Sequence, residues 1–449
     1  MATPSPDART GETVELLQTM IRNACVNDGS PDSGQEIRNA TVLRDFLEPC
    51  GIDLEILESR PGRASLIARV EGSEAGAPSL CLDGHTDVVP VNPDGWSRDP
   101  FAGDLVDGEV WGRGAVDMLN LTASMAVALR HLVTTGFRPR GDLVFLAVAD
   151  EESGSEYGAR WLAQHHRDLI TTDYALCENG GLHGGSPQAP SVSINVAEKG
   201  VAWRRLTVRG TPGHGSMPFK ADNALVKAAA VVTRISEYQP APGIHDLWPA
   251  QLDALGVDEA TRARLLDPVA LDEFLAELPR EAGAGFLHAC THTTFSANTA
   301  VGQTKTNVVP DHVAVDVDIR TLPGEGAEEV DAHLRAALGD LYDAVEVEVL
   351  MSDPASISPT DTLLWDALQA AVSRPFPGVA MRPHMAVGFT DARVHRELGA
   401  VSYGAGLLSP GLSAAEFGSR FHGNDERIDV ESLSLTTRFW IDVAGSFLS

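Results

Sequence analysis

The residues that could do chemistry lie in a few short stretches: Gly84-His85-Thr86-Asp87, Ala115-Val116-Asp117, Asp150-Glu151-Glu152, Cys177-Glu178 and, far downstream, Phe421-His422. One imidazole nitrogen of His85 can take a metal. The carboxylate of Asp87, two residues on and on the same face of an extended chain, can hold the ring or face a substrate. Asp117 comes just before Leu121, Met125, Leu129 and Leu132 at helical spacing, so it is either a helix N-cap or a carboxylate free to bridge metals. Three successive acids from Asp150 end an apolar run, which is costly unless positive charge is nearby. Two imidazoles and three carboxylates make a dinuclear zinc site with one carboxylate shared and a position open for water. Of Glu151 and Glu152, one can bind metal and the other can take a proton from that water.

Such side chains need elements that carry them to one place. Residues 65–70, 79–82, 142–149 and 172–177 read as strands, and 142–149 is continuously apolar, as in a central strand covered on both faces. Open α/β sheets bind ligands past the carboxyl ends of their strands, where these acids and His85 fall. Residues 11–27 form an amphipathic helix. Residues 91–111 read as a loop packed down by Trp96, Phe101 and Trp111. From about 200 the character changes. Residues 201–208 and 306–319 read as strands and 224–235 and 327–338 as helices, without acidic strand ends. This is an α+β insert over 201–350, lengthened by a segment rich in Pro, Asp, Glu and Ala at about 239–290. The α/β pattern resumes beyond 355, with helices at 363–372 and 431–447.

The chain has 449 residues and a net charge of −29, which argues against nucleic acid and anionic membranes as partners. Five scattered cysteines without C-x-x-C spacing read as reduced thiols. No apolar leader and no run of about 18 apolar residues is present, so the expected location is the cytoplasm.

In their order, these motifs resemble the zinc exopeptidase family of aminoacylase, glutamate carboxypeptidase, acetylornithine deacetylase and succinyl-diaminopimelate desuccinylase. With Gly213-His214-Gly215-Ser216 they span residues 79–426. The resemblance implies an α/β catalytic domain with a mixed central sheet flanked by helices, residues 1–200 and 351–449. An α+β lid, residues 201–350, interrupts it and dimerises. His85 and Glu178 would hold one zinc, Glu152 and His422 the other, and Asp117 would bridge. Asp87 would orient His85, Glu151 would be the general base, and the peptide after Asp117 would be cis. His214 would reach across a homodimer to the substrate carbonyl. Asn307 and Arg320 would contact the substrate and its free carboxylate, with Thr390 as a further substrate-binding residue.

The implied activity is hydrolysis of an N-acyl amino acid or a C-terminal peptide bond, with two Zn²⁺ per chain and Co²⁺ or Mn²⁺ as substitutes. An aminopeptidase or dipeptidase is the alternative, although such members usually carry Asp where this chain has Glu178. A catalytically inactive interaction protein is a third reading, opposed by the intact Glu151 and all five ligands. The chain departs from many relatives at Leu119, where they have Lys.

Overall fold

The computed structural model describes residues 8–279, 283–302 and 305–449. Its largest sheet has ten strands. Along the main path the order is Asp53–Arg60, Arg63–Val70, Leu143–Val148, Leu80–His85, Tyr174–Cys177, Val401–Gly404, Ala189–Glu198 and Ser356–Ile357. Strands Ala380–Ala386 and His183–Ser186 also pair with Ala189–Glu198. The four central strands, from Leu143–Val148 to Val401–Gly404, run parallel. Every residue of Leu143–Val148 is buried, as its unbroken apolar run requires. Helices Ala8–Arg22, Leu119–Thr134 and Val430–Phe447 cover one face through Leu17, Met20, Met125, Leu129, Phe439 and Trp440. Helices Ala159–His165 and Ala392–Glu397 cover the other through Leu162 and Val394.

A second sheet of five strands contains Gly200–Val201, Arg204–Arg209, Thr294–Gly302, His312–Thr321 and Val345–Val349. Helices Ala224–Glu237 and Ala327–Leu338 pack on it around Leu206, Val231, Val315, Ile319 and Leu334. The strand expected over 201–208 is broken in two. The carbonyl of Trp203 takes the amides of Leu350 and Met351, while Ala202 bonds Ile319, so the chain changes partners at the break.

Four short helices, Trp248–Leu255, Glu259–Leu266, Pro268–Glu277 and Ala284–Thr291, fill most of the segment expected as an extension of the lid. They enclose a small core of Trp248, Leu252, Leu265, Leu271 and Cys290. This unit does not simply extend the second sheet. Helix Trp248–Leu255 lies against strands Ala380–Ala386 and His183–Ser186 of the first. Lys199, buried at the junction of the two sheets, donates to the carbonyls of Ala289 and His292 at 2.9 and 2.6 Å. That satisfies carbonyls at the end of helix Ala284–Thr291.

Residues 91–111 are not all loop. Asp104–Val106 and Glu109–Trp111 form a hairpin, to which Arg427–Asp429 adds a third strand. The expected aromatic packing takes a specific form there: Arg113 lies over Trp96 and Arg427 over Trp111, at 5.4 and 4.6 Å. All five cysteines are free. No helix among the described residues is long and apolar enough to cross a membrane.

Candidate metal centre and active site

His85 is the last residue of its strand and is 1% exposed. Its Nδ1 lies 3.0 Å from the carbonyl oxygen of Asp87, which fixes the ring and leaves Nε2 facing inward, 3.0 Å from Asp117 Oδ1. The other oxygen of Asp117 lies 2.8 Å from Nε2 of His422. One carboxylate therefore stands between two imidazoles contributed by residues more than three hundred positions apart. His422 Nε2 is also 3.2 Å from Glu152 Oε2, and His85 Nε2 is 3.8 Å from Glu178 Oε1 and 3.9 Å from Glu151 Oε2. The ligand atoms of His85, Asp117 and Glu152 lie within 4.8 Å of one another, as do those of His85, Glu151 and Glu178. Asp117 immediately precedes helix Leu119–Thr134 and Met118, and the Asp117–Met118 peptide is cis.

The carboxylate of Asp87 has a second task. It stands 3.5 Å from His85 Nδ1, but it also accepts from Asn27 Nδ2 at 2.8 Å and from the amides of Glu151 and Glu152 at 3.3 and 3.2 Å. It thereby ties the end of strand Leu80–His85 to the acidic turn after Leu143–Val148. Asp150, which starts that turn in the left-handed region at φ +66°, accepts from Arg63 and Asn27. Glu426 is fully buried and pairs with Arg113 at 2.6 Å. Asn27, Arg113 and Glu426 were not among the residues expected at the site. Arg113 and Glu426 do lie inside the stretches that carry Asp117 and His422.

The electrostatics of the cluster fit a bound cation. Burial, reinforced by neighbouring acids, raises the carboxyls of Glu151 and Glu178 well above the usual range and that of Glu152 to about 7. Burial also works against charge on Asp117 and His422. Their mutual hydrogen bond outweighs it, holding Asp117 below the usual carboxylate range and raising His422 to about 10. Glu151 Oε1 and Glu152 Oε1 are buried without a hydrogen-bond partner. Four acids facing two imidazoles leave an excess of negative charge out of water, which is the condition that divalent metal ions relieve.

The expected substrate residues are more dispersed. His214 and Asn307 are neighbours on an exposed part of the second domain, where the Gly215 amide donates to the Asn307 carbonyl. The ring of His214 contacts Ser216, and neither residue hydrogen-bonds the carboxylate–imidazole cluster. Arg320 bonds Asp318 at 2.7 and 3.2 Å and lies 5.0 Å over the ring of Phe389, which belongs to the other domain. Its Nη1 is buried without a partner. Thr390 is placed differently from the expectation of a substrate contact. It is fully buried, and its hydroxyl donates to Glu198 at the domain junction. A threonine hydroxyl can equally hold the backbone of its own segment, and Thr390 does so by also accepting from the Ala392 amide.

A buried imidazole and four buried or nearly buried carboxylates, met by a second, half-exposed imidazole beside the carboxyl ends of parallel strands in a mixed sheet interrupted by a second domain, define a metal-dependent hydrolase. The chain belongs to peptidase family M20/M25/M40, whose sequence profile matches residues 81–446. It is 28% identical to the N-fatty-acyl-amino acid synthase/hydrolase PM20D1 of Xenopus tropicalis, over 96% of this chain and 85% of that protein. It is 34% identical to a succinyl-diaminopimelate desuccinylase of Rhodopseudomonas palustris, over 57% of this chain and 65% of that one. Among solved structures, the fold matches an M20 family metallo-carboxypeptidase from Sulfolobus solfataricus with a TM-score of 0.72 at 17% identity, covering 98% of this chain and 99% of that one. It matches human carnosine dipeptidase 1 with a TM-score of 0.68 at 18% identity, over 98% of both chains. At such identities these two structures establish the fold.

Proposed function

We propose that this enzyme is a dinuclear zinc amidohydrolase that releases an amino acid, with its α-carboxylate free, from an N-acyl amino acid or from the C-terminus of a peptide. The observation that carries the reading is the division of the Asp117 carboxylate between His85 and His422, at 3.0 and 2.8 Å. In this reading His85 and Glu178 would hold one ion and Glu152 and His422 the other, with Asp117 as the ligand available to both. Bound there, the ions supply Lewis acidity toward the substrate carbonyl and lower the pKa of a water.

The chain's own residues do the rest. Glu151 Oε1 has no hydrogen-bond partner, and its high proton affinity suits a group that takes a proton from water and returns it to the leaving amine. Asp87 holds the backbone of Glu151 in place. The free Nη1 of Arg320, with Asn307, binds the leaving group's carboxylate. His214 is exposed on the lid and acts on the carbonyl oxygen bound by a second copy in a homodimer.

Metal analysis with an N-acyl amino acid assay tests the reading. Wild-type chains and Glu151→Gln chains should each retain two ions, since the substitution removes a proton acceptor and no ligand. Turnover by Glu151→Gln should fall about 10²–10⁴-fold. Near-normal turnover by the metal-replete variant would remove Glu151 from this role.

A further inference from the structure

Arg320 stands on strand His312–Thr321 of the second sheet, and most of what holds it belongs to the same domain. Its Nε and Nη2 bond Asp318. The indole nitrogen of Trp203 donates to the carboxylate oxygen that takes Nε, at 2.8 Å, and the Trp203 ring lies 5.9 Å from the guanidinium. The exception is Phe389. Its ring is 5.0 Å away and sits three residues past strand Ala380–Ala386 of the first sheet.

The segment that carries Phe389 is fastened to both crossings between the sheets. On the outward crossing, Glu198 ends strand Ala189–Glu198, accepts from the Thr390 hydroxyl and lies 3.2 Å from Arg396. On the return crossing, Asp353 and Val201 exchange backbone hydrogen bonds at 2.8 Å each way, and the Asp353 carboxylate lies 3.6 Å from Arg393. Arg393 in turn lies over the Phe389 ring at 3.9 Å. One ring therefore takes a guanidinium from each domain. Arg393 is buried and Arg320 largely so, which is where attraction between a cation and a ring face is strongest. Asp318 occupies two of the three Arg320 nitrogens and leaves Nη1 buried without a partner, a state that costs free energy until an acceptor arrives.

We propose that Phe389 is a positioning residue for Arg320: its ring, mounted on the catalytic domain, sets where the lid's guanidinium stands, so that recognition of the leaving carboxylate depends on how one domain is seated on the other. This rests on the amidohydrolase reading above, with Arg320 as the carboxylate's partner, and adds the residue that aims it. Asp318 and Trp203 move with Arg320, since all three belong to the second domain. Phe389 alone refers the guanidinium to the domain that holds the carboxylate–imidazole cluster.

The test measures kcat and KM of metal-replete wild type, Phe389→Ala, Phe389→Leu and Phe389→Tyr on one N-acyl amino acid and on its α-amide. Phe389→Ala and Phe389→Leu should lower kcat/KM for the acid by about 5–30-fold, mainly through KM, and change that for the amide by less than about twofold. Phe389→Tyr keeps the ring face and should keep the acid-to-amide ratio within about twofold of wild type. Ratios within one preparation are unaffected by the fraction of variant that folds, and a general loosening of the structure would lower both substrates together. A ratio unmoved by Phe389→Ala, one preserved by Phe389→Leu as fully as by Phe389→Tyr, or one that Phe389→Tyr fails to preserve would overturn the inference while leaving an amidohydrolase in place. A wild-type enzyme that holds its metals and cleaves acid and amide equally, or cleaves no N-acyl amino acid, would overturn the underlying reading with it.

Discussion

Glu426 grips the backbone of Asp117. One of its oxygens accepts from the amides of Asp117 and Val116, at 3.1 and 2.7 Å, while the other meets Arg113 at 2.6 Å. Arg113 in turn reaches the carbonyl of His422 at 3.4 Å. A single buried ion pair thus holds both the shared carboxylate and the C-terminal imidazole. Glu426→Gln keeps an acceptor for the two amides but removes the charge opposite Arg113. It should weaken metal binding by about 10–100-fold in a chelator competition. Glu426→Ala strands a buried guanidinium and should cost about 3–5 kcal/mol in chemical denaturation. Wild-type metal affinity in Glu426→Gln would show that the pair serves stability alone.

His214 offers a test of assembly. If it completes the site of a second copy, His214→Ala and Glu151→Gln chains should each be nearly inactive alone. After mixing and demonstrated subunit exchange they should regain activity, because one hybrid site carries both wild-type groups. Absence of rescue would place His214 in its own chain's site or outside the chemistry.

Arg320 bears on which end of the substrate is recognised. With Nε and Nη2 on Asp318, a charge-assisted hydrogen bond from Nη1 contributes about 1.5–3 kcal/mol, or roughly one to two powers of ten in kcat/KM. Converting the substrate's α-carboxylate to an amide should cost that much, and Arg320→Ala should erase the difference. Equal cleavage of acid and amide by the wild type would point instead to recognition of a free amine, as in an aminopeptidase.

Metal removal should make stability depend on pH. In the metal-free protein burial raises Glu152 to about 7 and places Glu151 and Glu178 higher than usual, so the folded state holds protons that the unfolded chain releases. Stability then falls as pH rises from the ordinary carboxyl range through about 7. His422, raised to about 10 from 6.5 by Asp117 and Glu152 against the cost of burial, extends the decline above neutrality. Calorimetry of chelated protein between about pH 5 and pH 8 should show a descending Tm. Titration with zinc near neutrality should release protons to the buffer, since ligands bind metal deprotonated. A rising Tm for the chelated protein would contradict the buried-carboxyl account.

The sequence made the strand-end chemistry legible for a physical reason. A continuously apolar run such as Leu143–Val148 ends in acids only where something rewards their burial, and the order of those ends follows the chain. What stayed hidden depends on contacts distant in sequence. Glu426 meets Asp117 across 309 positions. Asp104–Val106 and Glu109–Trp111 are too short to show alternation and gain their third strand from Arg427–Asp429. The helices from Trp248 onward look like an enlargement of the second domain because they are inserted in it. The seat of helix Trp248–Leu255 is strand Ala380–Ala386, which comes more than a hundred positions later in the chain.

Strand Val401–Gly404 sits between Tyr174–Cys177 and Ala189–Glu198 in the sheet, although it is made long after both. About 220 residues separate it from Cys177, which at typical synthesis rates is roughly 10–45 s of translation. Throughout that interval the growing polypeptide has a buried-type strand with one bare edge, directly before Glu178. Bare edges of this composition template pairing with other chains. The nascent enzyme therefore passes through a long aggregation-prone window on the ribosome, closed by the arrival of four residues, and a chaperone that shields unpaired strands would act there.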